Sequence, residues 1–385
     1  MDNFSNYDGI RPYYDNEVNK VINSLLEEFE FLYFLRYLFP ETNKNELLEK
    51  LSKVDNIKDF QGYLAQPALR VVLDRSVDSF TFSGFENIEK DKTYLYISNH
   101  RDIALDPSLL NLLMFESGHY TTQIAIGSNL LVSPVITSMF KLNKSFIVHR
   151  DVSPRQLYLY SKQLSSYILE LVKNKISSVW IAQGEGRTKD GNDHTQHGLI
   201  RMLTLNKEDS IIEIIKKLNI VPVAISYEYE PCDLGKAEET YCLNNDLPYY
   251  KTPEQNINNL LSGMKDYKGC IHISFCEPLN NLFESIPEVN DPNTDLLTLI
   301  AEIIDKEIHS NYKLWPTNFI ATDILNNSSE FSEKYSNEQK HFFTQHIDKM
   351  LEKTKYNKIG VKDVLLKIYS NPVMNSIDIN QKKNS

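Results

Sequence analysis

His100, followed closely by Asp102 and Asp106, stands at the end of an apolar run, where a side chain of this type can do chemistry. An imidazole titrates near neutrality, and a neighbouring carboxylate can fix its tautomer and stabilise its charged form. Such a group can take a proton from a hydroxyl. The preceding Tyr94-Leu95-Tyr96-Ile97 reads as a buried strand, while Pro107-Ser108-Leu109-Leu110 with Leu112 and Leu113 opens a helix. At a strand-to-helix turn of this kind, a side chain faces the crevice where open α/β sheets bind ligands. A lone histidine there could equally cap or pack the turn, so other residues must decide.

Two further segments share this strand-then-polar plan, and a third adds another strand. Ser178-Val179-Trp180-Ile181-Ala182 reads as a buried strand and runs into Gln183-Gly184-Glu185-Gly186-Arg187-Thr188-Lys189-Asp190-Gly191. The glycines let backbone approach a ligand closely, Arg187 offers a planar fork for phosphate oxygens, and Lys189 adds a compact second charge. Ser145-Phe146-Ile147-Val148-His149-Arg150 is a β-like run ending in a cation. Ile220-Val221-Pro222-Val223-Ala224-Ile225 is a strand whose proline suits an early position or an edge.

In this order, the four segments resemble the blocks of the glycerolipid acyltransferase superfamily, which includes the glycerol-3-phosphate and lysophosphatidic acid acyltransferases. The blocks are an NHxxxxD turn, a strand ending in arginine, an EGxR loop and a hydrophobic-proline strand. They match Asn99-His100 with Asp106, Phe146 to Arg150, Glu185-Gly186-Arg187 and Val221-Pro222-Val223, over roughly residues 85 to 280. The family's spacing puts the acid at Leu105. The Asp-Pro-x-Leu-Leu pattern aligns Asp106 instead, with one residue inserted, and Asp102 is the competing acid. The third block is one residue short between glycine and arginine.

The resemblance implies acyl transfer from a thioester to a hydroxyl. His100 would be general base, and Asp106 or Asp102 would orient it. Arg150, Arg187 and Lys189 would hold an acceptor phosphate, Glu185 beside Gly186 would orient Arg187 or the acceptor hydroxyls, and the apolar stretch around Pro222 would line the acyl pocket. No cofactor or metal is implied, since acyl-CoA or acyl carrier protein enters as co-substrate. Lysophosphatidic acid is the first acceptor expected, then glycerol-3-phosphate, then an amino-acid lipid hydroxyl. A catalytically silent relative that binds lipid or acyl carrier protein is the alternative of another class.

His100-Arg101-Asp102 also spells the start of a protein-kinase catalytic loop. That pattern needs an asparagine five positions after the aspartate, where this chain has Pro107, and no Asp-Phe-Gly triplet follows.

The fold class expected is α/β, a central, mostly parallel sheet flanked by helices, with helical additions at both ends. The sequence divides into an N-terminal helical region (1–75), a catalytic domain (76–285), a C-terminal helical region (286–370) and a mobile tail (371–385). From Asp15 to Leu38, apolar residues recur at helical spacing and then broaden to nearly all faces, the pattern of a helix that is buried or lies against lipid; burial is the reading taken. Residues 231–268 read as a loop plus a helix, and Gly269 to Phe275 as a closing strand. The four cysteines, Cys232, Cys242, Cys270 and Cys276, form no CxxC pair and read as structural thiols.

The 385-residue chain carries a net charge of −11, which argues against a nucleic-acid binder. Between Lys141 and Leu205, ten basic residues face five acids, a local positive region suited to lipid phosphate, coenzyme A or an acidic acyl carrier protein. No apolar run approaches the roughly 18–20 residues that span a bilayer, and the first residues do not read as a secretory signal. The expected location is cytoplasmic, peripheral to the inner face of the membrane.

Overall fold

The computed structural model describes residues 4–205, 209–249, 253–286, 291 and 294–384. Seven strands form one sheet: β1 (Val77–Ser83), β2 (Leu95–Ser98), β3 (Gln123–Gly127), β4 (Ser145–Val148), β5 (Val179–Ala182), β6 (Ile220–Tyr227) and β7 (Gly269–Phe275). Their order is β1-β7-β6-β2-β5-β3-β4, parallel throughout except for the antiparallel pair β6 and β7. The fold is therefore α/β with a mostly parallel sheet, as expected. Of these strands, β1 and β3 had not been read from the sequence.

Side-chain alternation divides the core between two sheet faces. Leu95, Ile97, Val179, Ile181, Ile220 and Ala224 pack with the helices Pro154–Lys173, Ile211–Leu218 and Leu296–Asn311. Tyr96, Trp180, Val221, Val223 and Ile225 pack on the other side with the helix Leu105–Glu116. Being covered on both faces, these short strands read as continuous apolar runs. The edge strand β4 is partly covered as well, because Ile147 N donates to the Ile10 carbonyl at 2.9 Å.

Pro222 lies early in β6 but in the interior of the sheet. Its carbonyl accepts from Cys276 N at 3.0 Å where the antiparallel partner runs out, so its missing N–H costs a bond only at the ladder's end.

The N-terminal apolar stripe is two helices, Asp15–Leu25 and Phe29–Leu38. Burial holds for only part of the second: Phe31, Leu35 and Leu38 are buried, whereas Phe29 is 80% and Tyr33 65% exposed. Residues 231–268 contain two helices, Asp233–Asn244 and Pro253–Lys265, where one had been read. The expected tail is also corrected. Residues 371–384 continue the last helix, Lys358–Asn384, through Pro372, while Ser385 lies outside the described residues. Asn371 Nδ2 donates to the Asp190 carbonyl at 2.8 Å, and Val373 is buried. Pro372 has no N–H for the Ile368 carbonyl one turn earlier. Gly191 packs against that carbonyl with φ +75, so closely that a Cβ would stand 2.1 Å from the oxygen. The last helix thus braces the polar loop after β5.

Candidate active site

His100 follows β2 at the carboxyl end of the parallel strands, and its Nδ1 lies 2.9 Å from Asp106 Oδ2. Asp106 sits in the first turn of Leu105–Glu116, wholly buried, and the imidazole is 14% exposed. A carboxylate only accepts, so Nδ1 carries the proton and the lone pair falls on Nε2. That is the tautomer a general base needs. Trp180 supports the ring edge-on, with centroids 5.6 Å apart, and its indole N–H is held by Ser98 Oγ at 3.0 Å.

Asp106 Oδ2 also accepts the backbone N–H of Arg101 at 2.6 Å and of Asp102 at 2.9 Å, which folds the turn around the carboxylate. Its other oxygen accepts the Tyr227 hydroxyl at 2.7 Å. Asp102 does not reach His100. Its Oδ1 accepts the N–H groups of Ala104 at 2.9 Å and Leu105 at 2.8 Å, securing the start of the following helix. Its Oδ2 is buried without a hydrogen-bond partner. Burial, reinforced by the nearby Asp106 charge, raises the Asp102 carboxyl above its usual range.

Beneath the turn lies a buried charge network that had not been read from the sequence. The Arg101 guanidinium bonds Asp193 at 2.5 Å and Glu230 at 3.0 Å. Lys236 Nζ bonds Glu230 at 2.5 Å and donates to the Arg101 carbonyl at 2.7 Å. Two cations thus meet two anions, all four residues being buried. Asn99 ties the same turn to β6, exchanging bonds with the Ile225 backbone at 2.8 and 2.9 Å. Nothing local in the sequence marks Glu230 or Lys236; the Arg101 they both bond lies more than a hundred positions away.

The loop after β5 reaches this turn: Thr188 N donates to the His100 carbonyl at 2.9 Å. Gly186 takes φ +75, a conformation that suits glycine. Arg150 Nη1 pairs with Glu185 at 2.6 Å, so the arginine after β4 meets the acid of the loop. Lys189 bonds Glu239 at 2.9 Å on the helix Asp233–Asn244. Arg187 is partly buried; its Nη1 is buried without a hydrogen-bond partner, and its charge acts on Asp102 and Cys232. Pro222 is set apart. Alternation places it with Ile220 and Ala224 on one sheet face, while Val221 and Val223 share the face of Trp180 and its neighbour His100.

Residues 79–226 match the acyltransferase family model, a span that runs from within β1 to within β6 and includes the His100 turn and the loop after β5. The chain carries an acyltransferase domain. Among solved structures, the acyltransferase is similar to the 1-acyl-sn-glycerophosphate (LPA) acyltransferase PlsC of Thermotoga maritima, at 15% identity. The match covers 75% of this chain and 91% of that one, with a TM-score of 0.37. No curated protein sequence matches the chain.

Of the residues expected in the site, the structure therefore joins His100 to Asp106 and Arg150 to Glu185. It sets Arg187 beside Asp102, occupies Lys189 with Glu239, and leaves Pro222 on the far sheet face.

Proposed function

We propose that this acyltransferase moves a fatty acyl group from acyl-CoA or acyl carrier protein to the hydroxyl of lysophosphatidic acid, with glycerol-3-phosphate as the second acceptor. The observation that carries this reading is the His100–Asp106 pair at 2.9 Å, beside a loop that presents Arg187. His100 Nε2 takes the acceptor hydroxyl's proton as that oxygen attacks the thioester carbonyl. The C–O bond forms, the C–S bond breaks, and the leaving thiolate takes the proton from His100. Asp106 holds the imidazole and stabilises its transient charge, and the nucleophile belongs to the substrate. Arg187 supplies a planar fork for the acceptor phosphate, and Arg150 joins it when the phosphate displaces Glu185.

The acyltransferase works as a peripheral protein at the inner face of the membrane. Among the described residues, no helix is long and apolar enough to cross a membrane. Exposed Phe29 and Tyr33, with Leu157, Tyr158 and Leu159 at the start of the helix after β4, support contact with lipid.

Acyl transfer by the purified protein from labelled acyl-CoA and acyl carrier protein, to lysophosphatidic acid and to glycerol-3-phosphate, tests the reading. Transfer that is abolished in His100→Ala is expected. Transfer only to an amino-acid lipid hydroxyl would replace the acceptor, and binding without transfer to any hydroxyl would make the protein a silent relative.

A further inference from the structure

We propose that Tyr227 is a positioning residue of the catalytic pair, its phenol holding Asp106 aligned so that His100 keeps its lone pair on Nε2. The proposal rests on the reading of His100 as general base. Tyr227 closes β6, is buried, and donates its hydroxyl to Asp106 Oδ1 at 2.7 Å. Three N–H groups, from His100, Arg101 and Asp102, converge on Oδ2, so the phenol is what anchors the opposite oxygen. With both oxygens held, the carboxylate cannot rotate about its Cβ–Cγ bond, and the direction of the bond to Nδ1 is fixed.

The surroundings give the hydroxyl more than a packing role. Asp102 on the same turn and Glu230 just beyond β6 place like charge near the phenol and its partner. The Arg101 guanidinium is spent on Asp193 and Glu230, while Arg187 from the loop after β5 and Lys268 before β7 act on Asp102. The phenol meets the Asp106 oxygen as a neutral donor that adds no competing charge. Burial raises the Tyr227 hydroxyl well above its usual range, so it keeps its proton wherever the enzyme works.

Tyr227→Phe fills the same volume without the hydroxyl. Its kcat is expected to fall about tenfold with KM little changed, since the bond acts on the base and makes no contact with acceptor or donor. The acid limb of the kcat pH profile should rise by about half a unit, because a less shielded Asp106 holds the imidazolium proton more tightly. Site-specific 3-fluorotyrosine at position 227, a stronger donor of nearly the same size, should move that limb downward. Opposite movements in the two variants establish the role. An unmoved limb in both, whatever happens to kcat or thermal stability, overturns it and reduces Tyr227 to packing. His100→Asn is assayed alongside. If it is inactive while the limb stays fixed, only the Tyr227 role fails; if it retains turnover, the reading of His100 as base fails and takes the proposal with it.

Discussion

Lys236→Met is expected to destabilise the protein by about 3–5 kcal/mol, because it leaves a buried charge without its partner. The network holds Arg101 and Lys236 against Asp193 and Glu230, and Met keeps the length and apolar character of the lysine stem. Two bonds are lost, at 2.5 Å to Glu230 and 2.7 Å to the Arg101 carbonyl, and two carboxylates then face one guanidinium. Taking about 4 kcal/mol, and an unfolding entropy of about 2.1 cal/mol/K for each of 385 residues, Tm falls by about 5 °C. Adding Glu230→Gln restores charge balance and should recover about 2 kcal/mol, so the double variant is more stable than the single one. Urea unfolding of wild type, both single variants and the double variant measures the cycle. Because the lost donor served the carbonyl next to His100, kcat of Lys236→Met should also fall, by about tenfold. A single variant within about 1 kcal/mol of wild type, with no recovery in the double variant, would refute the argument from buried charge balance.

Asp106→Asn should lower kcat by about a thousandfold, since a neutral amide no longer stabilises the imidazolium that forms on His100; steady-state kinetics at saturating acceptor measures it. Asp102→Asn should cost less than about tenfold in kcat and about 1 kcal/mol or less in stability, because an amide oxygen can still accept the Ala104 and Leu105 N–H groups. The reverse ranking would assign the pairing acid to Asp102. Burial pulls the His272 imidazole down to about 4, and its two nitrogens meet Thr81 Oγ1 at 2.7 Å and Ser83 Oγ at 3.0 Å. The folded pKa lies below the unfolded value of about 6.5, so this stabilisation is present above pH 6.5 and lost as pH falls toward 4. For a half-exposed group the loss is about 1–2 kcal/mol. Chemical denaturation at pH 7 and pH 4.5 should show it in wild type and less of it in His272→Asn.

The sequence alone determined the His100 turn and the strands that present it. Tyr94 to Ile97, Ser178 to Ala182 and Ile220 to Ile225 are apolar without interruption because both sheet faces are covered, and that pattern is local. The family blocks then named His100, Arg150, Glu185 and Arg187 as candidates, since glycine, charge and strand spacing can be read along the chain. β1 and β3 escaped because each is weakly patterned, β1 being largely exposed and β3 opening with glutamine. Phe29 and Tyr33 were read as buried because composition cannot tell which face of an apolar helix meets a neighbour. Asp102 and Asp106 stand only four positions apart, and backbone geometry sent one carboxylate to the helix start and the other to the imidazole. Tyr227, Glu230 and Lys236 carry no local signature, and they reach the turn because β6 pairs beside β2 and carries the following helix over it. The residues able to do chemistry were thus set by local pattern, while the supporting contacts of Tyr227, Glu230 and Lys236 with the His100 turn join segments more than a hundred positions apart, which only the assembled sheet brings together.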